Sequence, residues 1–163
     1  MVGRISTLLA ELKSKLNGKT VILGIGNTLK RDDGIGPKVV ECITGKITVP
    51  TINCGEAPEN YTNSIRLKKP DTIIMIDAVD MKSKPGSVKL LKPGDIKNET
   101  FTTHSVSLRT FAEFIKGETG AEILVLAVQP ASVSFGTELS LEATETIGLL
   151  EKGLLEVFGD NAS

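Results

Sequence analysis

The chain has a single histidine, His104, and only two cysteines, Cys42 and Cys54. One imidazole excludes H-E-x-x-H zincins and any site that draws two histidines from one chain. The cysteines form no C-x-x-C pair, which argues against a zinc clip or disulfide framework and for small, reduced core residues. Charge of one sign is scarce too: 19 Lys and Arg against 20 Asp and Glu give a formal net charge of -1, with no long run of either. The electrostatic footprint of a nucleic-acid or anionic-membrane binder is therefore missing. The longest apolar runs, such as Ile123 to Val128, are far too short for a bilayer, and the N-terminus has no signal-peptide core. A cytoplasmic protein is expected.

With 163 residues, 40% hydrophobic and 24% charged, the chain is expected to form one domain over 1–163 that buries a substantial core. Ile5, Leu8, Leu9, Leu12 and Leu16 recur at helical spacing before Asn17-Gly18, so residues 1–18 read as an amphipathic helical extension. Thr20 to Gly24 reads as a buried strand and Gly36 to Ile43 as a helix with Pro37 in its first turn. A second strand is expected over Ile47 to Asn53, at a sheet edge because of Pro50. A helix led in by Pro58 runs to about Lys68, and a third strand covers Asp71 to Ala78, continuously apolar from Ile73 to Ile76. Residues 79–103 are the least regular, with a short strand over Ser87 to Leu91. A helix from about Ser105 to Lys116, a strand from Ala121 to Val128 and a final helix capped by Ser140 complete the chain. The alternation predicts an α/β fold: three layers, a mostly parallel twisted sheet of about five strands, helices on both faces. In the common 2-1-3 strand arrangement, the first and third strands are neighbours whose carboxyl ends flank the switch point.

The loop at that point is Gly24-Ile25-Gly26-Asn27-Thr28-Leu29-Lys30-Arg31-Asp32-Asp33-Gly34-Ile35-Gly36. Its glycines suit a phosphate cradle, but two adjacent aspartates repel phosphate and suit a cation or a cation-bearing ligand. Asp33 and Asp77 fall at or just beyond the two strand ends. Each has a plainer reading as a helix or turn cap. His104, in Thr102-Thr103-His104-Ser105, stands near an expected helix start, whose dipole favours the neutral, ligating imidazole; a surface or capping role is the alternative. Two carboxylates and one imidazole suit nickel, zinc, manganese or iron, with open positions.

Four ordered blocks carry a resemblance: the G-x-G-N-x-x-x-x-D-D-G-x-G stretch, Gly55-Glu56-Ala57-Pro58-Glu59-Asn60, Ile76-Asp77-Ala78-Val79-Asp80-Met81, and Thr102-Thr103-His104. Together the chain resembles the hydrogenase maturation endopeptidases, most closely the branch serving formate hydrogenlyase and related energy-converting hydrogenases. The resemblance implies a protease that trims the C-terminal extension from the large-subunit precursor of a [NiFe] hydrogenase. It also implies nickel carried by that substrate, bound through Asp33, Asp77 and His104; on that mechanism Asp32 or Asp33 is the expected acceptor of a proton from the attacking water. The extension before the first strand departs from the family's usual start. Rival readings are a nickel-loading checkpoint or chaperone that senses without cutting, and a nucleotide-binding Rossmann-like enzyme. The latter is opposed by Leu29 at the third motif-glycine position. A serine or cysteine hydrolase is disfavoured because no G-x-S-x-G elbow accompanies the histidine.

Overall fold

A computed structural model describes residues 2–97 and 107–160. The order along the chain is α1 (Val2–Ser14), β1 (Thr20–Ile25), α2 (Ile35–Ile43), β2 (Thr51–Gly55), α3 (Thr62–Leu67), β3 (Thr72–Ala78), β4 (Val88–Leu91), α4 (Leu108–Thr119), β5 (Glu122–Val128) and α5 (Leu141–Phe158). Short 3-10 turns at Arg31–Gly34 and Pro58–Tyr61 lead into α2 and α3. The five strands line up as β2-β1-β3-β5-β4, parallel except for β4, which runs antiparallel to β5 along the far edge.

The burial patterns explain that order. All six residues of β1 are buried, as are the first six of β3 and the last six of β5, which is what helices on both faces of a parallel sheet require. One apolar layer joins Ile22, Ile74, Ile76, Leu124 and Leu126 to α1, α2 and α5. The opposite layer joins Val21, Leu23, Ile73, Met75 and Val125 to Ile65 of α3 and to Leu108, Phe111 and Ile115 of α4. The expected three-layer α/β arrangement is the one observed, with β1 and β3 adjacent.

Two starting boundaries differ from expectation by more than two residues. β2 begins at Thr51 rather than Ile47: Pro50 has no N–H to donate, and its carbonyl accepts the first ladder bond, from Ile22 N–H at 3.0 Å. Ile47 instead bridges to Gly159. α4 begins at Leu108, where Ser107 caps it by accepting the Thr110 N–H. The expected amphipathic helix α1 lays its apolar face on the core: Leu12 is fully buried, and Ile5, Leu8 and Leu9 lie in the same layer as α5. Among the described residues, no helix is long and apolar enough to cross a membrane.

Candidate functional site

The candidate site begins where β1 runs out. α2 starts hard against the carboxyl ends of β1 and β3: a Cβ on Gly36 would lie 2.1 Å from the Ile76 carbonyl oxygen and 2.4 Å from that of Ile25. Only glycine permits this approach. The turn Arg31–Gly34, immediately before α2, is thereby set over the strand ends and packs on β3. Gly26 closes the loop from the other side. At φ 149°, it lies so near the turn that a Cβ there would stand 1.9 Å from the Asp33 carbonyl oxygen.

Asp33 is 4% exposed, and its Oδ2 accepts the Asn27 N–H at 2.9 Å. The Asn27 side chain is itself fixed: Oδ1 accepts the Leu29 N–H, and Nδ2 donates to Glu56 Oε2, both at 2.9 Å. Glu56 belongs to the loop after β2, so the rims of β1 and β2 are tied together beside Asp33. Asp33 lines a cavity of about 220 Å³ with Ala78, Asp80, Gln129 and the wall formed by Pro130 to Val133.

Asp32 behaves differently from its neighbour. Buried to 1% exposure, its carboxylate accepts the Ala131 N–H on Oδ2 at 2.8 Å, the Ser140 N–H on Oδ1 at 2.8 Å and the Ser140 hydroxyl on Oδ2 at 2.7 Å. Ser140 Oγ in turn accepts the Ala143 N–H and caps α5. Both oxygens of Asp32 thus face protein donors in the loop after β5. The adjacent acids split their tasks: Asp33 faces the cavity, and Asp32 fastens the wall opposite.

Asp77 is 1% exposed near the end of β3 and pairs in register with Ala127 of β5. Strand alternation places it on the side of Ile73 and Met75, the α4 side of the sheet. Asp33 and Asp77 therefore stand at the carboxyl ends of adjacent strands. His104 lies outside the described residues. Among the described residues, no group of three or more His, Cys, Asp or Glu side chains is placed to hold a metal ion; two carboxylates joined by His104 would include one donor beyond them.

Gln129 and the roles of residues 130–139 escaped the sequence reading, which singled out only Ser140 as a helix cap. Gln129 Oε1 accepts the Met81 N–H at 2.6 Å and the Ser83 N–H at 3.3 Å, while Nε2 donates to Asp80 Oδ1 at 3.2 Å and the Pro130 carbonyl at 3.3 Å. This one side chain organises the turn after β3. The Lys82 N–H and the Gln129 amide hold the Asp80 carboxyl below its usual range, so the cavity mouth keeps an ionised carboxylate. The available signal was a buried amide at a strand end, since buried polar groups are almost always hydrogen-bonded.

The HycI model of the hydrogenase maturation proteases matches residues 37–157. The chain is 36% identical to the Hydrogenase 3 maturation protease of Escherichia coli K12 over 134 residues, covering 78% of this chain and 85% of that one. Its structure is similar to that of the [NiFe] hydrogenase maturation protease HycI of Thermococcus kodakarensis KOD1, with TM-score 0.81 and 32% identity over 90% of this chain and 97% of the other. The solution structure of the endopeptidase HycI of Escherichia coli gives TM-score 0.74 at 30% identity, over 85% and 92% of the two chains. With sequence and fold both pointing the same way, the chain belongs to the hydrogenase maturation protease family and is a hydrolase.

Proposed function

We propose that this protein is the endopeptidase that removes the C-terminal extension from the nickel-loaded large-subunit precursor of a [NiFe] hydrogenase, working in the cytoplasm. The observation that carries the reading is the Asp33 carboxylate, held by the Asn27 N–H in the wall of an open cavity next to the β3 end that carries Asp77. The nickel is substrate cargo. Asp33, Asp77 and His104 receive it, and the resting enzyme carries no nickel of its own. Oxygen and imidazole donors suit such a borderline cation. Once docked, it supplies a Lewis acid at the scissile carbonyl.

Of the two adjacent aspartates, Asp33 meets the substrate, because both oxygens of Asp32 are turned toward Ala131 and Ser140. Water oxygen adds to the carbonyl carbon, the C–N bond breaks, and the water's proton reaches the departing amine by way of Asp33. The motif variants Glu56 to Asn60 and Asp80-Met81 favour a precursor of the formate-hydrogenlyase and energy-converting branch.

The test is to incubate the pure protein with nickel-loaded and metal-free precursor and weigh the large subunit by intact mass spectrometry. Shortening of the nickel-loaded form alone is expected, and Asp33→Asn should stop it without shifting the melting temperature by more than a few degrees. Shortening of both forms would refute the role of nickel. Binding without shortening would make the protein a checkpoint instead.

A further inference from the structure

Among the described residues, the large apolar side chains left exposed are Leu29, Leu67, Phe114, Phe135 and Leu141. Leu67 and Phe114 stand on α3 and α4. The other three share one region: Leu29 is 51% exposed, Phe135 80% and Leu141 86%, and all lie on the two chain segments that Asp32 joins. Gly136, next to Phe135, donates its N–H to the Leu29 carbonyl and accepts the Arg31 N–H, each at 2.8 Å. Leu141 follows Ser140, the partner of Asp32, and lines a depression with Arg31, Asp32 and Ser132.

Single exposed apolar residues need no explanation, whereas a group gathered on one surface marks an interaction site. This group is fixed in place by backbone hydrogen bonds. It is also continuous with the cavity that holds Asp33, because the loop bearing Phe135 supplies the cavity wall from Pro130 to Val133. A protease must hold a polypeptide that extends on both sides of the bond it cuts. The chain segments that border the cavity on this side carry Leu29, Phe135 and Leu141.

Resting on the reading of the Asp33 cavity as the place of cleavage, we infer that Leu29, Phe135 and Leu141 dock an apolar stretch of the precursor polypeptide beside its scissile bond. Substrate is the occupant, since the loop that bears Phe135 is the one that walls the cavity from Pro130 to Val133. Aromatic and aliphatic anchors of this kind carry most of the affinity of an interface. Because they act on binding, they set which polypeptide is accepted rather than how fast its bond breaks.

The experiment compares the full chain with a Phe135→Ser/Leu141→Ser double variant on nickel-loaded large-subunit precursor, measuring kcat and KM by intact mass. Both side chains are exposed, so folding should be preserved. The expected result is a loss of roughly tenfold or more in kcat/KM, carried by KM, with kcat and melting temperature unchanged. A benzophenone replacing the Phe135 ring should crosslink to precursor residues adjacent to the cleavage point. Unchanged kcat/KM, a loss in kcat alone, or crosslinks only to another copy of the enzyme would overturn the inference. Asp33→Asn separates the two levels. If that variant still cuts, the cavity reading falls and takes this inference with it; if it is inactive while the double variant is normal, the docking surface alone is refuted.

Discussion

Replacing Asp32 by alanine removes the acceptor of three hydrogen bonds, all at 2.7–2.8 Å and all to a carboxylate 1% exposed. Bonds to a charged group contribute about 1.5–3 kcal/mol each when broken singly. Straight addition overstates the loss, because Ala131 is exposed and Ser140 partly so, and water reaches the released donors. About 3 kcal/mol is the expected destabilisation, read from urea unfolding midpoints at constant m. Asp32→Asn should cost less, about 1.5 kcal/mol. Its carbonyl oxygen can take the Oδ2 place and keep the Ala131 and Ser140 hydroxyl donors, which leaves the amide NH2 facing the Ser140 N–H. The order wild type, Asn, Ala in stability is the signature of a fastening role. An Asp32→Asn protein with wild-type stability and no peptidase activity would refute it, and would return Asp32 to the chemistry.

Other substitutions test other parts of the fold. Gly36→Ala forces a methyl against the carbonyl oxygens of Ile76 and Ile25, backbone atoms that cannot swing aside; a loss of at least about 2 kcal/mol is expected in chemical denaturation. Leu12→Ala should cost about 2–5 kcal/mol, because its side chain is fully buried in the layer shared with α5. A loss under about 0.5 kcal/mol would show that α1 is dispensable to the core. Burial pushes the Cys54 thiol up to about 12 from 9.0. The folded state then holds a proton that the unfolded chain releases, so the stabilising contribution is intact below pH 9 and is lost between 9 and about 12. Cys54→Ala should remove a slope of about 1.4 kcal/mol per pH unit from the alkaline limb of a stability curve. Identical limbs in the two proteins would contradict the buried thiol.

Periodicity and caps made much of the scaffold readable in advance. The apolar run Ile73 to Ile76 announced a strand covered on both faces, and Ser140 marked the start of α5. The carboxyl ends of β1 and β3 were legible because alternating strands and helices leave few arrangements of a parallel sheet. Individual side-chain roles were harder to read. The bonds from Asp32 to Ser140 join residues 108 positions apart, and contacts at that separation leave no trace in a local pattern. Asp32 and Asp33 look alike in the sequence; their opposite directions follow from the 3-10 turn that carries them. The partners of the Gln129 hub were hidden for the same reason, since Met81 and Ser83 belong to an irregular stretch.

The fastening of Asp32 to the start of α5 also bears on the order in which the site is completed. A nascent chain emerging N-terminus first presents Asp33 long before the Pro130 to Val133 segment exists to face it, and Asp32 gains its last partner only when Ser140 has arrived. The surroundings of the two adjacent acids are therefore finished last, when the residue that opens the final helix takes its place against Asp32.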